Sequence, residues 1–238
     1  MADVKNISRF YDQYSRKQQE VGINIRHRTI IKNAILNGLK REHNVLEIGC
    51  GIGTVTSLLA KYLRKGKLVS VDISPENIKI AKEFTKKYDN IDFSVSDMTD
   101  FNSSLLFDFV VLPDVLEHIP LAQHNQLFSI IRKHTHDNSV IYINIPNPYS
   151  LEYAREYTPE LLQIIDQPLY TNILLDNIYK NGFYLHSLMT YSLSIKEGDY
   201  QAIVLKPYKK LAKTTKLSKF ANYCNEIKSR WGIFLYKV

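Results

Sequence analysis

An apolar segment runs straight into a glycine turn at Val45-Leu46-Glu47-Ile48-Gly49-Cys50-Gly51-Ile52-Gly53. Three glycines at alternate positions let the backbone take dihedrals closed to other residues and approach a ligand closely. A helical pattern opens at Thr54, so the segment reads strand, turn, helix. The spacing is GxGxG, with Thr54 where the dinucleotide fingerprint GxGxxG has its third glycine. The acid Glu47 stands two residues before the first glycine, which suits a cationic ligand and repels a pyrophosphate. A nicotinamide-dinucleotide site and a plain α/β turn are the competing readings.

The same alternation of short apolar strands and helical patterns continues on both sides, as expected for βαβ units and a parallel sheet. A helical region is expected over 7–39, a strand over 44–48 and a helix over 54–63. A second strand follows over 67–72 and a helix over 75–88, with Ser74 as N-cap, Pro75 in the first helical position and Glu76 in the first turn. Residues 91–95, 107–112 and 140–145 read as strands three to five. Pro146-Asn147-Pro148 then stops the rhythm, and an aromatic stretch with Tyr149, Tyr153, Tyr157 and Tyr170 follows. A helix over 172–180 ends at Asn181-Gly182, and strands over 183–194 and 201–205 meet at the hairpin turn Glu197-Gly198-Asp199. The expected architecture is a doubly wound, mostly parallel seven-stranded α/β sheet with a closing antiparallel hairpin.

The chain has 238 residues, 45% of them hydrophobic, enough for one such domain with appendages. The apolar runs are too short to span a bilayer and no leader pattern precedes them, so a soluble, cytoplasmic protein is expected. Cys50 and Cys224 lie far apart without a CxxC pair, which points to reduced thiols and away from zinc. The net charge of +7 is concentrated at one end: from Lys206 onward there are nine Lys and Arg residues against one acid, Glu226. With the rest of the chain near neutral, nothing marks a nucleic-acid cleft, and no nucleic-acid partner is expected.

Two acids complete a nucleoside site in chain order. Asp72 ends the second strand 19 residues after Gly53, placed to hold ribose hydroxyls in a bidentate manner, with Ile73 beside it. Asp97, in Ser96-Asp97-Met98 after the third strand, can take an adenine amino group, and Met98 can cover the ring face. With these segments the sequence resembles the class I S-adenosylmethionine-dependent methyltransferases over roughly residues 44–205. The resemblance implies S-adenosyl-L-methionine as cofactor, with Glu47, Gly49, Cys50, Gly51, Gly53, Asp72, Ile73, Asp97, Met98 and Pro113 around it. It also implies an N-terminal helix over the site, with Tyr11 and Tyr14 closing it; alternatively these form a half-buried helix face. The implied layout is a methyltransferase domain over 1–206, with a helical cap at 1–40 and a substrate-side insertion at 146–171, then a basic extension over 207–238.

The segment Leu112-Pro113-Asp114-Val115-Leu116-Glu117-His118-Ile119 resembles the family's fourth-strand motif, which faces methyl donor and acceptor. If a helix starts near Asp114, then Asp114, Glu117 and His118 share one face. Those three resemble the acid-x-x-Glu-His metal pattern of ubiquinone-pathway O-methyltransferases, with Asp114 departing from the Glu found there. Three roles stay open: His118 as general base with Asp114 beside it, a divalent metal on Asp114, Glu117 and His118, or a purely structural cap. The expected reaction is O-methylation of a small or medium-sized metabolite. N-methylation of a peptide or amine, and a non-catalytic cofactor-binding module, are the alternatives.

Arg26-His27-Arg28 reads as an acid-binding group or a solvated face, and the tyrosines of 149–170 as a wall for a flat acceptor or a lid. In the tail, Leu211, Leu217, Phe220, Ala221, Cys224, Ile227, Trp231, Phe234 and Leu235 recur at near-helical spacing with lysines between them. Such a segment docks on its own domain, or makes weak contact with an anionic membrane or an acidic carrier.

Overall fold

The computed structural model describes residues 22–163, 165–210 and 218–235. The chain separates into two compact units, residues 1–208 and 209–238. In the first unit, helix α1 (Ile25–Leu36) precedes β1 (Val45–Ile48), α2 (Thr54–Tyr62), β2 (Leu68–Asp72), α3 (Pro75–Phe84), β3 (Ile91–Val95) and β4 (Phe107–Pro113). Then come α4 (Leu121–Lys133), β5 (Thr135–Pro146), α5 (Pro148–Tyr157), α6 (Thr171–Lys180), β6 (Phe183–Tyr191) and β7 (Tyr200–Pro207). The second unit contributes α7 (Lys219–Leu235).

The seven strands form one sheet in the order β3-β2-β1-β4-β5-β7-β6. All neighbours are parallel except the β5–β7 and β7–β6 pairs, so the expected closing hairpin is present. The chain moves outward from β1 through β2 to β3, then returns to β4 on the other side of β1. That reversal leaves a crevice at the carboxyl ends of β1 and β4, where open α/β sheets bind ligands.

Strands covered on both faces read as nearly continuous apolar runs, and here alternate side chains feed two separate cores. Val110, Leu112, Ile141 and Ile143 face one way, onto Leu127, Phe128 and Ile131 of α4 and Leu174 and Ile178 of α6. Phe109, Val111, Val140 and Tyr142 face the other way, onto Ile30 and Ala34 of α1 and Val55 and Leu59 of α2.

Local chemistry sets the boundaries. Ser74 caps α3 by accepting from the Asn77 amide at 3.0 Å, with Pro75 in the first turn. That helix stops at Phe84 rather than near Tyr88, because the Thr85 hydroxyl takes the Ala81 carbonyl at 2.7 Å and closes the end. Strand β5 begins five residues before its expected start, since residues between Thr135 and Val140 bulge against β4 and Ser139 Oγ donates to the Phe107 carbonyl. Helices α4 and α5 lie where the sequence reading assigns none. The described part of the expected N-terminal helical region is α1, started by a reciprocal cap: Asn24 Oδ1 accepts from the His27 amide and His27 Nδ1 from the Asn24 amide.

A helix starting near Asp114 is not what the chain builds. Asp114 takes a left-handed conformation (φ 54°), a short 3-10 turn spans Leu116–His118, and α4 begins only at Leu121. The i, i+3, i+4 face expected for Asp114, Glu117 and His118 therefore does not form.

The glycine turn is sterically required at two points. Gly49 has φ 78°, and a Cβ there would lie 2.4 Å from Val115 Cγ2. Gly53, which starts α2 at φ 87°, would bring a Cβ to 3.0 Å from the Ala81 backbone of α3. Gly49→Ala is expected to destabilise the domain by about 2–4 kcal/mol, from the positive φ together with overpacking. Thermal denaturation of Gly49→Ala beside Gly49→Ala/Val115→Ala checks this: the double variant should recover the overpacking part and leave the backbone part.

Candidate functional site

A cavity of about 560 Å³ opens at the carboxyl ends of β1, β2 and β4. The glycine turn forms its floor. In that turn the amides of Gly49 and Cys50 both donate to the Val71 carbonyl, Gly53 donates to the Cys50 carbonyl, and Gly51 donates to Asp72 Oδ2 at 2.7 Å. Asp72 Oδ1 also accepts from the Ser74 amide at 2.9 Å and from Asn77 Nδ2 at 3.1 Å. One carboxylate at the tip of β2 thus fixes both the turn after β1 and the start of α3, while its edge remains on the cavity wall.

Gly49, Cys50, Gly51, Asp72, Ile73, Asp97, Met98 and Pro113 all border the cavity. Met98 is buried with φ 69°, its amide held by Ser96 Oγ at 3.0 Å. Asp97 is exposed, and its Oδ1 accepts from both the amide and the hydroxyl of Thr99.

Two expected cavity residues are placed elsewhere. Glu47 is fully buried beneath the turn, where its Oε2 accepts 2.7 Å hydrogen bonds from Thr56 and Ser70 and does not reach the cavity. Burial raises its carboxyl to about 7, against the opposing pull of the two hydroxyls. Gly53 sits behind the turn at the α2–α3 contact rather than on the cavity wall. Tyr11 and Tyr14 lie outside the described residues.

The far half of the cavity is built from segments distant in sequence. Asp114, at the end of β4, donates its amide to the Asn144 carbonyl, and its Oδ1 accepts from Asn144 Nδ2 at 2.6 Å. Its Oδ2 meets Arg26 Nη1 at 3.1 Å. Asn144 Oδ1 in turn accepts from the Tyr191 hydroxyl at 2.6 Å. Burial raises the Asp114 carboxyl above its ordinary range, against the opposing pull of Arg26 and Asn144, and the ion pair raises Arg26 in turn. Arg26 therefore joins the cavity wall, whereas its neighbour His27 is held neutral, lowered to about 4 by burial and by the Arg26 charge.

His118 and Glu117 stand on the 3-10 turn after Asp114. The Nδ1 of His118 faces the Ile165 carbonyl and lies 3.1 Å from Asp166 Oδ1, while its Nε2 is 3.8 Å from Glu117 Oε1. Gln167 fixes this approach: its side-chain amide donates to the carbonyls of Glu117 and Ile119, and its backbone amide donates to the Glu117 carbonyl. Burial alone would lower the imidazole, but Glu117, the hydrogen bond to Asp166 and the Ile165 carbonyl together raise it to about 9. Burial likewise raises Glu117 above the ordinary carboxylate range, with the neighbouring imidazole opposing.

Asp114, Glu117 and His118 do not form a ligand set, because Asp114 is committed to Arg26 and Asn144. Among the described residues no three carboxylate, imidazole or thiol groups come together as metal ligands. Asp166, Gln167, Asn144 and Arg26 were not identified as site residues by motif; only Arg26 carried a signal, in the basic triplet.

The tyrosines of α5 point outward. Tyr149, Tyr153 and Tyr157 are 70%, 54% and 60% exposed, and the same helix presents Ser150, Leu151 and Ala154 to the cavity. The aromatic wall expected for a flat acceptor is therefore a surface stripe.

Over 87% of this chain and 100% of its own, magnesium protoporphyrin IX methyltransferase from Synechocystis PCC 6803 with bound S-adenosylhomocysteine superposes at a TM-score of 0.69 and 14% identity. The N-methyltransferase NodS from Bradyrhizobium japonicum, also bound to S-adenosylhomocysteine, gives a TM-score of 0.61 at 18% identity, covering 77% of this chain and 86% of that one. At these identities the likeness shows the shared fold. A malonyl-[acyl-carrier protein] O-methyltransferase of Ilyobacter polytropus is 26% identical over 123 residues, 51% of this chain and 43% of that protein. The chain spans less than half the length of the curated relatives it matches first. Residues 39–201, well over half the chain and including the whole glycine turn and the 3-10 turn, match the family model described as a methyltransferase domain, and the chain belongs to that methyltransferase family.

Proposed function

We propose that this chain uses S-adenosyl-L-methionine to methylate a hydroxyl of a small or medium-sized molecule. The state of the glycine turn carries the cofactor half of this reading. A turn that cradles a pyrophosphate aims its backbone N–H groups at the anion. Here the amides of Gly49, Cys50, Gly51 and Gly53 are spent within the protein, and the group offered at the cavity wall is the Asp72 carboxylate. That arrangement disfavours a dinucleotide phosphate and suits a nucleoside whose other end is cationic.

When bound, the cofactor supplies an activated methyl group on a sulfonium. Asp72 holds the ribose hydroxyls, Asp97 and Met98 receive the adenine, and Cys50, Ile73 and Pro113 border the remainder. The glycines admit the ligand to the backbone. Glu47 acts from beneath by fixing the turn through Thr56 and Ser70.

On the acceptor side, His118 is the general base. Its Nδ1 faces two oxygens, the Ile165 carbonyl and Asp166, so that nitrogen carries the proton and Nε2 accepts one when the ring is neutral. Asp114 shapes the site through its bonds to Arg26 and Asn144 rather than by touching a proton. Transfer to an amine is the second reading, favoured by the carboxylate of Asp166 beside the cavity, which would attract an ammonium group.

Calorimetry should show S-adenosylhomocysteine bound with a dissociation constant in the micromolar range, about −8 kcal/mol. Asp72→Asn should weaken that binding about tenfold by removing a charged acceptor. Binding of NADH in its place would overturn the cofactor assignment.

With an acceptor identified from a panel of phenols, alcohols, carboxylic acids and amines, His118→Ala should lower turnover by about 10² to 10⁴ with cofactor affinity nearly unchanged. Turnover by the unaltered protein should rise with pH through about 9, where His118 loses its proton and becomes a base. Asp166→Asn should move that inflection to lower pH, because it removes a group that favours the imidazolium. A pH profile indifferent to both substitutions would reduce His118 to a packing residue, and binding without turnover of any acceptor would favour a non-catalytic module.

A further inference from the structure

Helix α7 presents apolar side chains to solvent in a pattern that the methyl-transfer site does not explain. Phe220, Tyr223, Cys224 and Ile227 recur at the i, i+3, i+4, i+7 spacing of one helix face. Phe220 is 76% exposed, Tyr223 62% and Ile227 37%. In the sequence the same spacing continues through Trp231, Phe234 and Leu235.

Charge borders this stripe on both sides. Lys219 precedes Phe220 and Lys228 follows Ile227, each turned about 100° from its apolar neighbour around a helix of 3.6 residues per turn. Both lysines are exposed. From Lys206 onward the chain carries nine basic residues against the single acid Glu226, so the stripe sits in a strongly positive segment. Among the described residues no helix is long and apolar enough to cross a membrane.

We propose that α7 is an interfacial anchor that lays the Phe220, Tyr223 and Ile227 face into an anionic lipid surface, with Lys219 and Lys228 at the headgroups. An amphipathic helix with a narrow apolar face and flanking lysines lies in the plane of the interface, where lysine stems run along apolar surface and their ammonium groups meet lipid phosphates. Charge alone would serve an acidic protein equally well. The row of exposed apolar side chains between the lysines is what selects a lipid surface, and the clustering of the charge selects an anionic one.

The test uses the full chain and vesicles of phosphatidylcholine with or without phosphatidylglycerol. Trp231 is the single tryptophan of the chain, so its emission reports directly on the tail. The protein should sediment with phosphatidylglycerol vesicles, its emission should shift to the blue, and both effects should weaken in high salt. Phe220→Ser/Ile227→Ser, which leaves every charge in place, should reduce partitioning by about tenfold or more. Because both side chains are exposed, that variant should melt at the temperature of the unaltered protein; a lowered melting temperature would show that the stripe is covered within the protein and would overturn the proposal. Absence of sedimentation with anionic vesicles would overturn it too, as would a variant that sediments undiminished, which would leave charge as the only determinant and point to an acidic protein partner. None of these readouts depends on methyl transfer.

Discussion

Asp72 is the hinge of the first half of the domain. Its carboxylate accepts from the Gly51 amide on one side and from the Ser74 amide and the Asn77 side chain on the other. Without that charge the turn after β1 and the start of α3 would be separate loops, each with N–H groups to satisfy. With it they become one rigid floor. The same residue accounts for what the floor can bind, because a turn whose amides are already spent on a carboxylate and on the Val71 carbonyl has little to offer an anion.

Glu47 complements Asp72 from below. A carboxyl buried at this depth with only hydroxyl partners is costly to ionise, which is why it rises to about 7. Its bonds to Thr56 of α2 and Ser70 of β2 tie that helix to the second strand directly under the glycines. The acid nearest the turn in sequence is therefore a support, and the acid at the tip of the neighbouring strand β2 is the one at the wall.

The second half of the cavity rests on a different device. Asp114 is held in a left-handed conformation that costs an ordinary residue about 1–2 kcal/mol, and two bonds to Asn144 and an ion pair with Arg26 offset that cost. This draws α1 to the end of β4 and turns the chain so that the next residues form a 3-10 turn. His118 on that turn then meets Asp166, which Gln167 anchors from the insertion after β5. Two segments far apart in the chain thus meet at one imidazole. The tail is a separate compact unit with its own charge and its own exposed apolar stripe.

Strand identity, the glycine turn, the Ser74 cap and the order of Asp72 and Asp97 were legible in the chain because each depends on neighbours within a few residues. A strand buried on both faces must be apolar throughout, and a turn at positive φ calls for glycine. The far half of the cavity was legible only in part. His118 and Asp114 stood out by residue type, yet the helix expected there was replaced by a left-handed residue whose stability comes from Asn144, 30 positions away, and from Arg26 on α1. Likewise the sequence marks Tyr149, Tyr153 and Tyr157 as part of an aromatic stretch but does not say whether they face the cavity. Local pattern fixes what a segment can form; the direction of a side chain, and the charge that will stand beside it, are set when the sheet closes and distant segments compete for the same few hydrogen-bonding groups.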